Sequence, residues 1–369
     1  MSFFSISDVK IAGITACVPD VVFRNIDYSW ISLKEREEFI SLSGIHEKRH
    51  APLGITTSDL SFRAVEKLIS GLGWDKNDID LLVFVSQSRD YILPATACIL
   101  QDRLGLPKTC MAFDIDMGCS AYVYALSVVC SFLSRGEIKK ALMLVGDVST
   151  QACSERDKTT WQVFGDAGTA TALEHSPGSP PFFFNMQTDG KGFDAVIIPE
   201  SGFRKLLSRK TFLYKKYAEG IERHKGQVVL NGTEVFKFAM REVASNIGEL
   251  MKFAKKDIES IDYYVFHQAI KIINETIRRK MKLPSEKVPV TLYKYGNTSS
   301  ASIPLTIVSE LNKQISDGPL SLLISGFGTG LSWGSAIIHT DKIYCPDILE
   351  YDAQILSREK SNSEINFKG

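Results

Sequence analysis

The sequence predicts a layered α/β fold made of two similar halves. Apolar runs of strand length alternate with longer amphipathic segments, which is typical of sheets covered by helices. One apolar run, Asp78-Ile-Asp-Leu-Leu-Val-Phe84, returns later as Ser260-Ile-Asp-Tyr-Tyr-Val-Phe266. Cys119-Ser-Ala121 and Ser299-Ser-Ala301 repeat at a similar distance, which indicates an internal duplication. Chance similarity between α/β units is the alternative explanation.

Individual elements follow from the same patterns. The predicted strands are residues 9–16, 80–86, 141–146, 263–266 and 320–324. Residues 58–72 have helical periodicity, and Gly71 or Gly73 is expected to end that helix. Long helices are expected to separate the strands.

Turn and charge patterns divide the chain. Ser176-Pro-Gly-Ser-Pro-Pro181 is rich in turn residues, so residues 1–175 and 176–340 are predicted to be the two halves. Residues 204–225 are dense in Lys and Arg and are interpreted as a solvated surface excursion. Residues 341–369 form a polar C-terminal extension that is expected to be loosely packed or spread over the surface.

Composition indicates an ordinary globular protein. Of the 369 residues 44% are hydrophobic and 23% charged, and 43 basic residues balance 43 acidic ones. No global field would therefore attract nucleic acid or an anionic membrane. The seven cysteines are scattered without a C-x-x-C pair, which favours a reducing compartment and argues against a zinc site. No apolar run approaches ~20 residues and no leader pattern is present, so we expect a cytoplasmic protein without a membrane span.

Cys119 is the candidate nucleophile. It lies in Gly118-Cys-Ser-Ala121, where an apolar strand gives way to a helical pattern. The positive end of a helix favours the thiolate, which is the reactive form. A small core residue is the alternative role for a single cysteine.

His267 and Asn297 are candidates for the same site in the second half. His267 follows the strand at residues 263–266, at the end where α/β sheets usually bind ligands. Asn297 lies at a strand-to-helix turn that the duplication relates to Cys119, although a helix cap is its alternative role. The glycine-rich turn 325–334 lacks the pattern of a nucleotide-binding loop, so its amides are better suited to stabilise an oxyanion.

Motifs in a fixed order extend this pattern over most of the chain, from residue 11 to about residue 339. They are Ser43-Gly-Ile-His-Glu-Lys-Arg49, residues 94–97, residues 114–121, Phe164-Gly-Asp166, Asp189-Gly190, His267-Gln-Ala269, Gly296-Asn-Thr-Ser299 and Gly326-Phe-Gly328. Together they resemble the thiolase superfamily, and more closely its ketoacyl-acyl-carrier-protein synthase III group.

The resemblance implies a five-layered α-β-α-β-α subunit that forms a homodimer. Cys119, His267 and Asn297 would be the catalytic triad, and the Cys119 and Thr329 amides would form the oxyanion hole. Leu93 and Phe113 would shape the acyl pocket. The substrates would be acyl-carrier-protein or CoA thioesters, with no other cofactor and no metal.

The sequence departs from the family pattern around the carrier. Ile270, Lys271 and Ile272 stand where the family often has Asn, a hydrophobic residue and Arg, and Glu38 and Lys158 replace the Trp and Arg that clamp the CoA adenine. Free CoA is therefore a less favoured donor. The cations proposed to bind an acidic carrier protein are Lys271, Arg278, Arg279 and Lys280, with a solvated basic face as the alternative.

The resemblance implies loading of an acyl group on Cys119 and decarboxylative condensation with a malonyl-type thioester, in a specialised rather than a housekeeping pathway. Transfer of the acyl group to an alcohol or amine is an alternative. A hydroxymethylglutaryl-CoA synthase activity is less favoured, because residues 86–91 contain no Glu to act as its general base. A non-catalytic acyl-binding module is the alternative from a different class.

Overall fold

The computed structural model of the chain describes residues 2–352. The α-helices in this range are α1 (Leu33–Ser43), α2 (Thr57–Leu72), α3 (Thr96–Arg103), α4 (Ala121–Leu133), α5 (Gly232–Ala254), α6 (Lys271–Lys280), α7 (Leu292–Tyr295) and α8 (Ser302–Asp317). The strands are β1 (Ser2–Ile6), β2 (Val9–Pro19), β3 (Val22–Arg24), β4 (Glu47–Arg49), β5 (Leu81–Val85), β6 (Met111–Ile115), β7 (Lys140–Asp147), β8 (Ala167–His175), β9 (Phe182–Thr188), β10 (Val196–Ile197), β11 (Lys215–Ala218), β12 (Ile221–Arg223), β13 (Val229–Leu230), β14 (Tyr263–Phe266), β15 (Leu320–Gly328), β16 (Ser332–Thr340) and β17 (Leu349–Tyr351).

Two large mixed sheets have the same core topology. The first has the order β17-β2-β8-β7-β5-β6 and the second the order β1-β9-β16-β15-β14. In each, two antiparallel pairings are followed by a parallel one, so that β2-β8-β7-β5 corresponds to β9-β16-β15-β14. The predicted duplication is thus present in the strand order.

Five layers result from the way the helices cover these sheets. The helices α4 and α8 lie between the two sheets in the central hydrophobic core. The helix α2 packs on the outer face of the first sheet, and α5 packs on the outer face of the second. Most of α4 is apolar, and its side chains are buried almost all round, as a helix between two sheets requires. The predicted α-β-α-β-α arrangement is what the chain adopts.

The chain termini cross between the halves, which the sequence analysis did not predict. The strand β1 pairs with β9 of the second sheet, although residues 1–175 were assigned to the first half. Conversely, β17 from the extension 341–369 pairs with β2 of the first sheet. Tyr351 and Cys345 are buried, so the first part of the extension is packed rather than loose. The polar stretch 357–364 lies outside the described residues.

Local signals in the sequence explain where the early helices begin and end. Ser32 and Glu35 form a capping box at the start of α1, and Thr56 and Asp59 form one before α2. The helix α2 ends at Gly73, whose φ of 62° is the left-handed conformation that glycine adopts without strain. Gly73 is one of the two positions predicted for the end of this helix.

The basic segment at residues 204–225 is a surface excursion, as predicted. Its strands β11 and β12 form a two-stranded hairpin apart from the large sheets. The hairpin is held to the body by Arg223, which forms a 2.6 Å ion pair with the fully buried Asp157.

Candidate active site

The three predicted catalytic residues meet where the two halves face each other. Cys119 follows β6 and precedes Ser120, the residue before α4. His267 comes directly after β14, and Asn297 lies in the turn between α7 and α8. All three are buried and line one cavity. The elements that the duplication relates therefore converge on one site.

Cys119 is enclosed by hydroxyl groups from the second half. Its Sγ lies 4.0 Å from the Ser299 Oγ and 3.9 Å from the Thr329 Oγ1. Burial raises the pKa of the Cys119 thiol, and hydrogen bonds from the Thr329 amide and hydroxyl and from Ser299 offset this only in part. The raised pKa favours the protonated thiol, so the expectation that the helix start would favour the thiolate is wrong, because burial outweighs the hydrogen bonds.

Glycines of β15 allow this strand to approach the nucleophile. Gly328 has φ of 154°, and a Cβ at this position would lie 2.6 Å from the Cys119 Cβ and 2.9 Å from its Sγ. At Gly326, a Cβ would lie 2.9 Å from the Ser120 Cα. Any other residue at position 328 would collide with the reactive thiol.

His267 is a neutral imidazole held in a fixed orientation. Its Nδ1 is 2.6 Å from the Ser302 Oγ, and its ring makes an edge contact with Phe327. The Asn274 side chain also donates a hydrogen bond to the His267 carbonyl. Burial lowers the pKa of His267 to about 3, and a hydrogen bond to the Ser299 backbone raises it slightly. When Ser302 donates to Nδ1, the proton lies on Nε2.

Asn297 presents its amide nitrogen to the cavity. Its Oδ1 accepts a 2.9 Å hydrogen bond from the Ser299 N–H, which fixes the side chain. Its backbone bonds on both sides to the segment around Phe164, through Val163 and Gly165. Within the described residues Nδ2 has no hydrogen-bond partner. It is therefore a donor available to a substrate carbonyl.

Asp147 joins the two halves beside the nucleophile, and the sequence analysis missed it. Its carboxylate accepts hydrogen bonds from Ser300 N–H and Oγ at 3.2 and 2.7 Å. It also accepts from the Ser86 hydroxyl at 3.0 Å and the Gln87 N–H at 2.8 Å. Asp147 is the last residue of β7 and lies at the carboxyl end of the strand, where α/β sheets usually bind ligands. That position is a signal that could have identified it.

Two cavities of different character reach Cys119. The apolar cavity has a volume of about 280 Å³ and contains His267 and Asn297. Its apolar lining includes Phe39, Val163, Leu230, Val235, Ile270 and Phe327. The polar cavity has a volume of about 360 Å³ and lies on the side of Thr329. Its polar lining includes Gln87, Arg89, Asp116, Ser149 and Ser201, and Val and Ile side chains line the same cavity.

Sequence comparisons agree with this arrangement. Residues 113–190 match the family described as 3-oxoacyl-[acyl-carrier-protein] synthase III, and residues 251–340 match its C-terminal region. A β-ketoacyl-[acyl-carrier-protein] synthase III of Xanthomonas campestris is 33% identical over 330 residues, covering 89% of this chain and 97% of the relative. One from Clostridium perfringens is 32% identical over 308 residues, covering 83% and 91%. The chain belongs to the synthase III family.

A solved synthase has the same fold over nearly the whole chain. The 3-oxoacyl-(acyl-carrier protein) synthase of Burkholderia xenovorans superposes with a TM-score of 0.89 and 35% identity, covering 95% of this chain and 99% of that one. Membership of the synthase III family confirms the predicted resemblance, the fold and the acyltransferase class. None of the described helices is both long and apolar enough to cross a membrane.

The residues predicted for the acyl pocket line neither cavity. Leu93 is 77% exposed, and Phe113 packs beside Phe132 at a ring distance of 6.1 Å on the edge strand β6. Within this subunit Leu93 lies on the surface and Phe113 packs against the central hydrophobic core. Their assignment to the acyl pocket stays a prediction.

The four cations proposed for carrier binding in this synthase III family member differ in their surroundings. Arg278 donates from Nε and Nη2 to the two carboxylate oxygens of Glu275, and from Nη1 to the Leu283 carbonyl. These bonds stabilise the end of α6. Lys280 donates to the Met240 carbonyl. Lys271 and Arg279 instead line a groove with Leu42 between α1 and α6. These two remain candidates for a carrier contact.

One of the two positions expected to clamp an adenine, Lys158, takes part in an ion pair. The Lys158 Nζ lies 2.8 Å from a carboxylate oxygen of Glu35, and Glu38 is exposed on the same helix. A cation and an aromatic ring do meet nearby, where the Arg156 guanidinium lies 5.9 Å from the Trp30 ring. The preference against free CoA stays a prediction.

Proposed function

We propose that this synthase III family member condenses an acyl group, carried as a thioester on Cys119, with a malonyl-type thioester. The observation that carries the proposal is the shared apolar cavity of a buried thiol, a neutral imidazole and an unpaired amide donor. These three groups supply a nucleophile and two hydrogen-bond donors for the reaction.

In the first half-reaction the Cys119 Sγ attacks the carbonyl of an acyl thioester. The thiol proton passes to the departing carrier thiolate, because the His267 Nε2 already carries its proton when Ser302 donates to Nδ1. The Cys119 and Thr329 amides would bind the oxyanion of the tetrahedral intermediate. The hydrogen bond between the Thr329 amide and the Cys119 Sγ, which lowers the thiol pKa, supports this role.

In the second half-reaction the malonyl thioester would enter the apolar cavity. Its carbonyl would accept hydrogen bonds from the His267 Nε2–H and the Asn297 Nδ2–H. Carbon dioxide leaves, and the electrons of the broken bond form an enolate that the two donors stabilise. The enolate attacks the acyl carbon, the bond to Sγ breaks, and a ketoacyl thioester departs. The side chains and the thioester substrates suffice for these steps.

Condensation is favoured over transfer to an alcohol or amine by the arrangement of Asn297. Simple acyl transfer needs one oxyanion hole, which the Cys119 and Thr329 amides would provide. A second pair of donors in a separate apolar cavity has a use only if a second carbonyl must be bound. A non-catalytic acyl-binding module would not need the buried His267 and its Ser302 partner.

We further propose an acyl-carrier protein as donor or acceptor, in a specialised pathway in the cytoplasm. The Lys158 and Glu35 ion pair at the expected adenine position supports a carrier protein over free CoA. The groove with Lys271 and Arg279 offers positive charge for an acidic carrier. All seven cysteines are free thiols, as expected in a reducing compartment.

A homodimer is proposed from the outer edge of the first sheet. The strand β6 ends this sheet, and an open edge strand is normally covered or paired. Met111, Phe132 and Leu93 add exposed apolar surface on and near this edge. Pairing of two copies there would bury it.

Intact-protein mass spectrometry with a panel of acyl-carrier-protein and acyl-CoA thioesters tests the proposal. We expect a mass gain that is absent from Cys119→Ala but retained by Cys98→Ala, which removes an exposed thiol. Addition of malonyl carrier should remove the adduct with release of carbon dioxide. A stable adduct that only an alcohol or amine discharges would instead indicate ester or amide formation, and no adduct would refute the enzyme proposal.

A further inference from the structure

In the proposed condensation the two cavities at Cys119 would bind different parts of the substrates. His267 and Asn297 line the apolar cavity and are absent from the lining of the polar one. If they bind the carbonyl of the malonyl thioester, the carrier arm occupies the apolar cavity. The acyl group on Cys119 must then extend into the polar cavity. This step rests on the proposed function.

The polar cavity is unusual for an unsubstituted hydrocarbon chain. Its lining includes apolar side chains such as Phe164, Val196 and Val228. It also includes Gln87 and the ion pair between Arg89 and Asp116, which are 3.2 Å apart and solvent-exposed. A saturated acyl chain would offer the Gln87 amide no hydrogen bond, whereas an oxygen substituent would.

Gln87 lies next to the nucleophile. Its side chain rests against Gly118, because a Cβ at position 118 would collide with the Gln87 amide oxygen. The Thr329 Oγ1 would be 3.5 Å from the same Cβ, so the amide and this hydroxyl flank the residue before Cys119. The Gln87 backbone is fixed through its N–H to Asp147. Its side-chain amide has no hydrogen-bond partner within residues 2–352.

We infer that the acyl group carried by Cys119 bears an oxygen substituent near the thioester, such as a hydroxyl or keto group at C3. The Gln87 amide can donate to either substituent and can accept from a hydroxyl. Its position beside Gly118 sets the substituent close to the thioester rather than at the far end of the chain. Gln87 is a specificity-determining residue in this assignment.

Loading rates with two donors of equal carbon number test the inference. Butyryl and 3-hydroxybutyryl pantetheine thioesters differ only in one hydroxyl, and intact-protein mass spectrometry measures each Cys119 adduct over time. The wild type should load the hydroxylated donor about tenfold faster, as one satisfied hydrogen bond allows. Gln87→Leu should abolish or reverse that ratio. Gln314→Leu makes the same change at an exposed position of α8 and should leave the ratio unchanged.

Each outcome separates this inference from the proposed condensation. Equal or faster loading of butyryl by the wild type would overturn the inference, and so would a ratio that Gln87→Leu does not change. Condensation itself would fail if a loaded adduct of either kind were not consumed by malonyl carrier. Absence of any Cys119-dependent adduct would refute both.

Discussion

The Cys119 thiol and the Ser299 hydroxyl lie 4.0 Å apart although 180 positions separate them in the chain. Each residue begins the segment that leads into one of the two central helices, α4 and α8. The duplicated halves therefore meet at their equivalent helix starts. This meeting brings a nucleophile from one half next to the His267 and Asn297 donors of the other.

Asn297 should act in condensation and not in acyl loading. Asn297→Asp keeps an oxygen to accept from the Ser299 N–H but removes the Nδ2 donor, whereas Asn297→Ala removes both. Both variants should load acyl groups at close to the wild-type rate and release carbon dioxide from malonyl carrier about 100-fold more slowly. The rates come from mass spectrometry and from trapped labelled carbon dioxide. Equal loss of the two half-reactions would contradict the assigned role.

Ser302 should position His267 through its 2.6 Å contact with Nδ1. In Ser302→Ala the imidazole can take either tautomer, so we expect condensation to slow about tenfold. Ser302→Thr keeps the hydroxyl and should restore the rate. Ser309→Ala lies on the same helix away from the site and serves as control. A Thr variant as slow as the Ala variant would indicate a packing role instead.

Gly328 should be required for a reactive Cys119. A methyl group in Gly328→Ala would displace the thiol, and we expect acyl loading to fall about 100-fold. Gly318→Ala, where a Cβ meets nothing within 4 Å, should load normally. Loading is followed by mass spectrometry. Normal loading by Gly328→Ala would show that the strand can move away from the nucleophile.

Lys48 should make the free energy of unfolding depend on pH. Its amine is fully buried without a hydrogen-bond partner and lies 5.0 Å from the Phe23 ring centroid and 5.2 Å from that of Trp161. Burial lowers its pKa to about 7, while the charges of Cys153 and Asp166 raise it. Between pH 7 and its ordinary value of 10.5, the unfolded chain binds a proton that the folded chain does not. The Lys48 contribution to the free energy of unfolding should therefore rise with pH in this window, on the order of 1 kcal/mol per pH unit. Buried thiols such as Cys17 and Cys153, whose pKa is raised by burial, make an opposite contribution in the alkaline part of the window.

Urea unfolding at pH 7 and pH 9 measures this effect. Lys48→Met removes the buried amine, so the variant should match or exceed the wild-type stability at pH 7 and should lose part of that advantage at pH 9. Lys108→Met changes an exposed lysine and should keep the wild-type pH dependence. A pH dependence in Lys48→Met equal to that of the wild type would mean that another group causes it.

Local patterns that the duplication repeats were sufficient to predict two similar α/β halves and to bring Cys119, His267 and Asn297 together, while their catalytic roles stay a prediction. The five layers were predicted from the family resemblance. Strand ends and helix starts are local features, and the two duplicated halves repeat them at equivalent positions. The exchange of β1 and β17 between the sheets depends instead on pairing with β9 and β2, far away in the chain. Short strands of this kind carry no signal that names their partner.

Side-chain roles that depend on neighbours distant in the chain also could not be predicted from the sequence. Ser302 is an ordinary helix residue until His267 is placed against it. Gly328 shows its importance only when the Cys119 side chain is in position.

The most direct test of the central claim is a single-turnover chase of acylated enzyme. Wild-type protein loaded on Cys119 with an isotopically labelled acyl group is freed of donor and mixed with malonyl carrier. The account predicts that the adduct disappears, one equivalent of carbon dioxide is released and the label appears in a ketoacyl carrier thioester. An adduct that persists, or that is released as the unextended acid, would contradict it.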